Sequence, residues 1–147
     1  MKIKTTATAI TLTLCMALAV PAYAARSAVP LIEPARVELL SLADSVGADT
    51  NGVKNAIIAG GAIRGWTVVN SESGKLRLQF NKNNKHIVEI DILYDATGYQ
   101  LKYADSKNME YKDQAKGPVI HPFYNKWIQN LIGDIAKAYA QTASRPQ

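Results

Sequence analysis

Alternation dominates the middle of the chain. Leu76, Leu78 and Phe80 alternate with Lys75, Arg77 and Gln79. His86, Val88, Ile90, Ile92 and Tyr94 alternate with Ile87, Glu89, Asp91 and Leu93, and Tyr99, Leu101 and Tyr103 with Gln100, Lys102 and Ala104. A period of two is that of a half-buried strand, since successive side chains point to opposite faces. Residues 66–72 add a fourth strand signal ahead of these. The links are short and carry turn chemistry: Ser73-Gly74, Asn83-Asn84 and Asp95-Ala96-Thr97-Gly98. Consecutive alternating runs joined by short turns predict an antiparallel meander.

On either side the period lengthens to that of a helix. Val53, Ala56, Ile57, Gly60 and Ile63 follow the turn-like Asp49-Thr50-Asn51-Gly52. Gly60 and Gly61 each weaken this helix by about 1 kcal/mol relative to alanine. The expected return is a close approach of its backbone to the sheet, and Gly65 ends it. Beyond Pro122, either Phe123 or Tyr124, then Trp127, Leu131, Ile135 and Ala138, form one stripe, with Ile128 and Ile132 beside it. Each stripe needs an apolar partner, and one face of the meander supplies it. The predicted fold class is α+β: a two-layer sandwich of a four-stranded antiparallel meander with two helices on one face, in the order α-β-β-β-β-α.

The boundaries follow. Residues 50–140 form a single α+β domain. Residues 25–49 comprise a tether and a short element over 36–46 that fits helix or strand equally. Residues 105–117 read as a polar loop, and 141–147 as a frayed tail. Residues 1–24 differ from all of this. Lys2 and Lys4 precede an apolar run over 10–20, Pro21 breaks it, and Ala22-Tyr23-Ala24 places small residues where a signal peptidase reads. The run is about half of the roughly 20 residues a membrane span needs, which favours a cleaved signal over an anchor. Lipidation at Cys15 fits poorly, because Leu14 precedes it and the apolar run continues past it. The expectation is export to the periplasm, cleavage after Ala24, and a mature chain without a transmembrane helix.

Cleavage removes Cys15, the one cysteine. Disulfides, thiol nucleophiles and thiolate metal ligands go with it. The chain has 17 Lys and Arg against 12 Asp and Glu, and two of the lysines lie in the signal, so the mature excess is about three positive charges without a basic block. Nucleic-acid binding is not expected. No Gly-rich phosphate loop and no Gly-x-Ser-x-Gly elbow occurs, and no cofactor is expected. His86 and His121 are far apart in sequence without a companion at ligand spacing, so they read as caps or packed rings rather than metal ligands. Glu89 and Asp91 share a strand face, yet basic neighbours there oppose the raised pKa of a general acid. The acidic strand between basic ones predicts cross-strand charge pairing on a solvated sheet face. Tyr94, Tyr99, Tyr103, Tyr111 and Tyr124, with Trp66 and Trp127, fit either a sugar- or peptide-gripping surface or the rim of a small core, the rim being the simpler account. Asn125 and Asn130 are unusual on a helix surface and are expected to tie down the 105–117 loop.

Arg64-Gly65-Trp66, the stretch from Tyr103 through Asp105-Ser106-Lys107-Asn108-Met109-Glu110 to Tyr111, His121, and Tyr124-Asn125-Lys126-Trp127-Ile128-Gln129-Asn130-Leu131 resemble a family of small secreted proteins and lipoproteins of Gram-negative bacteria. The similarity spans about residues 53–135, and the Tyr-Asn-x-Trp stretch is its most specific part. Many members resemble lipoproteins, a pattern from which Leu14-Cys15 departs. The resemblance implies an envelope location. It also implies that Arg64, Trp66, Tyr103, Ser106, Asn108, Tyr111, His121, Tyr124, Asn125, Trp127 and Asn130 form one constellation, either a binding site or a lock between sheet, loop and last helix.

These readings lead to a non-enzymatic envelope protein that binds an envelope component or a periplasmic protein. The alternative is a small hydrolase using His121 with Ser106 or Tyr103, which requires imidazole and hydroxyl to converge.

Overall fold

A computed structural model describes residues 27–39 and 49–143. The expected signal peptide, the later part of the 36–46 element and the last four residues of the expected tail lie outside the described residues. In chain order the elements are β1 (Val29–Pro30), β2 (Val37–Glu38), α1 (Thr50–Ile63), β3 (Trp66–Glu72), β4 (Lys75–Lys82), β5 (His86–Tyr94), β6 (Gly98–Lys107), β7 (Val119–Ile120) and α2 (Phe123–Ala143). The fold is the expected α+β sandwich, with a sheet one strand wider than the meander. All its pairings are antiparallel, in the order β2-β6-β5-β4-β3, and β1 pairs with β7 in a separate two-stranded sheet.

Local chemistry explains the element ends. Asp49 caps α1 by accepting from the Asn51 and Gly52 amides (2.9 and 3.0 Å), so the helix begins at Thr50, three residues ahead of its apolar stripe. Asn83 and Asn84 both take φ of 56° in the β4–β5 turn, a conformation asparagine tolerates better than most residues. The β6 strand runs three residues into the expected polar loop. Glu89 faces Asp105 but Ile90 faces Tyr103, so Ala104 is an extra residue in a β-bulge. The bulge shifts the phase and turns Ser106 to the inner face, opposite Val88.

The tether and the ambiguous element after it are each joined to the domain. Pro30 faces Val119, and Val37 faces Tyr99. Arg36 donates to Asp95 (2.6 Å) and to Thr97 (2.9 Å). The helix at the other end continues through Ala143, into the stretch read as frayed.

The core lies between the sheet and both helices. Leu76, Leu78, Val88, Ile90, Ile92 and Leu101 from the sheet meet Val53, Ile57, Leu131 and Ile135 from the helices, all buried. The two glycines of α1 divide their work differently from expectation. A Cβ on Gly61 would lie 3.1 Å from a Leu78 methyl and 3.3 Å from Trp66 Cβ, a close approach to the sheet. A Cβ on Gly60 would lie 2.6 Å from both Cα and N of Ile135, so this glycine serves contact with α2 instead. The tight packing is therefore partly backbone of one helix against backbone of the other.

Tyr99 is fully buried, and its hydroxyl has no hydrogen-bond partner among the described residues. Burial holds this phenol well above its ordinary pKa. A buried polar atom without a partner costs about 1–3 kcal/mol. Tyr99→Phe is therefore expected to be neutral or stabilising by about 1 kcal/mol in urea unfolding. A loss of more than about 1 kcal/mol would show that the hydroxyl has a partner after all.

On the outer sheet face the expected charge pairing is present. Arg77 grips Asp91 with two nitrogens (2.7 and 2.9 Å), Lys75 adds a contact at 3.1 Å, and Gln79 donates to Glu89 (2.9 Å). The Arg77 hydrogen bond, helped by Lys75, lowers the pKa of Asp91. The Thr97 amide and then Arg36 do the same for Asp95. A carboxylate with a lowered folded pKa stabilises the fold above its unfolded value of about 4 and loses that contribution as pH falls through the folded value. Melting temperature is thus expected to fall below about pH 4. Arg77→Ala is expected to melt lower than the parent chain near neutrality and to converge with it near pH 2 as both lose the pairing. Parallel curves down to that pH would show that the Asp91 pair contributes nothing.

Candidate functional site

The inner face of the sheet ends in a row of a different character. Trp66, Phe80, Val88 and Ser106 stand opposite one another across four strands. One step further along the same face, Lys82 stands opposite His86. The apolar alternation of β4 thus runs Leu76, Leu78, Phe80 and then Lys82. Over this end of the sheet lie the first turns of α2. Phe123, Lys126, Trp127 and Asn130 follow the i, i+3, i+4, i+7 spacing of a single helix face. Together with Lys82 and His86 they line an open cleft of about 240 Å³.

The cleft floor belongs to a continuous aromatic ladder. Trp66 meets Phe80 at 5.2 Å between ring centres, and Phe80 meets Trp127 edge-on at 4.8 Å. Trp127 meets Phe123 at 5.9 Å, Phe123 meets His121 at 4.7 Å, and His121 meets His86 at 5.9 Å. These spacings suit tilted and edge-to-face aromatic pairs. Both imidazoles are fixed by backbone. His86 Nδ1 donates to the Asn108 carbonyl (2.7 Å), and His121 Nδ1 accepts the Phe123 amide at the start of α2 (3.2 Å). The two rings thus hold different tautomers, His86 with its proton on Nδ1 and His121 with Nδ1 as acceptor.

Arg36, Arg64, Lys75, Arg77, Lys102 and Lys137 all hold carboxylates. Lys82 and Lys126, like Lys54, Lys85, Lys107, Lys112 and Lys116, have no carboxylate within ion-pair distance among the described residues, and the first turn of α2 carries no acidic residue. The positive end of the helix dipole adds to the same field.

The constellation named by sequence separates into parts. Tyr103, Ser106, Tyr111 and Tyr124 come together. Tyr103 stacks on Tyr111 at 4.6 Å, meets Tyr124 edge-on at 5.8 Å, and shares a 2.9 Å hydrogen bond with Ser106. Burial raises the phenol pKa of Tyr103 and, more strongly, that of Tyr124. Asn108 takes φ of 57° and donates to the Lys85 carbonyl (2.7 Å), so it locks the β4–β5 turn. Asn125 does not tie down the 105–117 loop. Its amide donates to the Pro30 carbonyl (2.9 Å) and accepts the Ile32 amide (3.1 Å), holding the N-terminal segment. Glu33 of that segment reaches Lys102 (2.9 Å) and the Tyr103 amide (3.3 Å). Arg64 is occupied with Asp134, and Trp66 is buried. His121, Trp127 and Asn130 belong to the aromatic ladder or to the cleft, and Asn130 lines the cleft rather than the loop.

His121 and Ser106 share no hydrogen bond among the described residues. The serine hydroxyl is engaged by Tyr103, and the imidazole Nδ1 by the Phe123 amide. Sequence reading missed Lys82, His86, Phe123 and Lys126 as site residues. Their signal was the lysine closing the β4 alternation and the cleft-facing row of α2 beside the core stripe.

Fold and cleft together define a small α+β domain with a cation-rimmed aromatic cleft. Comparison with protein families, curated proteins and solved structures finds no match for this chain.

Proposed function

We propose that the protein is exported to the periplasm, loses residues 1–24, and acts there as a non-enzymatic binding or accessory protein of the cell envelope. The observation that supports binding is the cleft of α2 and the β4–β5 hairpin. Two lysines converge there beside exposed aromatic surface, an arrangement that folding alone does not require. The export reading rests on the n-region, the short apolar run and the Ala22-Tyr23-Ala24 cleavage pattern. Among the described residues no helix is long and apolar enough to cross a membrane. The hydrolase alternative has less support, since neither Ser106 nor Tyr103 is hydrogen-bonded to an imidazole base.

The test begins with expression of the full chain in a Gram-negative host and intact-mass measurement of the periplasmic protein. A product starting at Ala25 supports the reading, and retention of the full-length chain in the cytoplasm overturns it. The purified protein is then screened by thermal shift against envelope glycans, muropeptides, peptides and lipids, alongside crosslinking in the periplasm. A concentration-dependent rise in melting temperature or a specific crosslinked partner supports binding. Absence of both overturns it.

A further inference from the structure

The cleft has enough chemistry to define what enters it. We propose that it binds a small organic anion, a carboxylate or phosphate monoester group carried on a flat apolar body, with the body on Trp127 and Phe123 and the anion between Lys82 and Lys126. This rests on the binding reading above and adds the ligand class and the residues.

Five features agree. The lining is mixed in the required way: aromatic floor, ammonium rim, and the Asn130 amide, which has no hydrogen-bond partner among the described residues. Anions are favoured over cations and neutral molecules, because Lys82 and Lys126 bring positive charge and no carboxylate lines the cleft among the described residues. The N-terminal turns of α2 contribute a further positive field at the same place. His86 Nδ1 donates to the Asn108 carbonyl, and its Nε2, which has no partner among the described residues, is left as an acceptor for a ligand hydroxyl. At about 240 Å³ the cleft falls below the usual range for a drug-sized ligand, so it takes a single ring or the end of a longer molecule.

The geometry also explains why both halves of the ligand are needed. A bare anion gains the two lysines but leaves the aromatic floor in water. A neutral ring covers the floor but leaves the ammonium groups without a counter-charge. Affinity for the joined molecule therefore exceeds that for either half.

The test uses the purified protein with phenyl phosphate and benzoate as probes, and inorganic phosphate and benzyl alcohol as the separated halves. Binding is followed through the indole N–H resonance of Trp127, with that of the buried Trp66 as internal reference. Saturable movement of the Trp127 signal is expected with both ring-bearing anions, and each separated half should need at least about tenfold higher concentration. Lys126→Glu and Lys82→Glu are each expected to weaken binding at least about tenfold, whereas Lys85→Glu, in the neighbouring turn but outside the cleft lining, changes it by less than about threefold. Raising salt from about 20 to about 300 mM should weaken binding severalfold. All three lysines are exposed and have no ion pair among the described residues, so these variants are expected to keep the parent melting temperature.

Equal binding by parent and Lys126→Glu protein would overturn the assignment, as would a Trp127 signal that no probe moves. These failures are distinguishable from failure of the binding reading. An envelope component that raises the melting temperature equally in the Lys126→Glu variant leaves the protein a binder and removes the cleft as its site.

Discussion

Gly60→Ala is expected to lower stability by about 3 kcal/mol. The added Cβ would sit 2.6 Å from Ile135 Cα and N and 2.9 Å from the Asp134 carbonyl carbon, all backbone atoms of α2. Backbone cannot rotate away as a side chain can, so the helices must separate. Separation loosens Val53, Ile57, Leu131 and Ile135 together. Helix propensity works in the opposite direction, by about 1 kcal/mol, and is outweighed. For a domain of this size the melting temperature should drop by roughly 10–20 °C. Two companion substitutions calibrate the result. Gly61→Ala meets a Leu78 methyl at 3.1 Å and Trp66 Cβ at 3.3 Å, which shift more easily, so about 1 kcal/mol is expected. Gly133→Ala meets nothing within 4 Å and lies on the exposed side of α2, so it should stabilise by up to about 1 kcal/mol. The order of the three melting temperatures checks the helix contact. A Gly60→Ala chain as stable as the parent would show that the helices do not touch through their backbones.

The second large effect is at the other end of the same contact. Asp134 is 3 % exposed, and its carboxylate is held by Arg64 and, at 3.7 Å, by the exposed Lys137. Arg64 emerges from the C-terminal end of α1, so the pair ties that end to α2. Arg64→Ala removes the close partner and leaves a buried charge beside a distant lysine. Breaking a fully buried pair costs about 3–5 kcal/mol; because Arg64 is about half exposed, about 2 kcal/mol is expected here. Asp134→Leu in the same chain should recover much of that loss, since two apolar replacements leave no orphaned charge. A double-mutant cycle in urea measures the coupling. Additive single losses would mean that the two side chains act independently.

Several particulars separate what local pattern reveals from what it hides. The Asp49 cap, the paired asparagines at 83 and 84, and the meander register all follow from residues within a few positions of one another. The widening of the sheet by β2 does not. Val37 and Glu38 lie in a segment whose pattern fits helix or strand equally, and they become a strand because β6 offers an open edge. Asn125 looked like a loop anchor, but its partners are Pro30 and Ile32, 95 and 93 positions away. Ser106 looked like part of a loop because the chain turns polar from Asp105. A bulge at Ala104 instead shifts the phase while the strand continues. The constellation from Arg64 to Asn130 was legible as a set of polar and aromatic residues, but its division into the tyrosine cluster, the segment locks and the cleft was not.

The sequence by itself determined the meander and both helices, because periods of 2 and 3.6 are consequences of backbone geometry that each segment carries locally. It also determined that the outer sheet face would pair its charges, since strand neighbours and side-chain parity follow from the short turns. Only the tertiary structure decided that Gly60 would serve α2 and that the N-terminal segment would join the domain. It alone set Lys82 and His86 beside Phe123, Lys126 and Trp127. Those contacts join segments far apart in the chain, and which partner each face finds depends on shape and burial across the whole core.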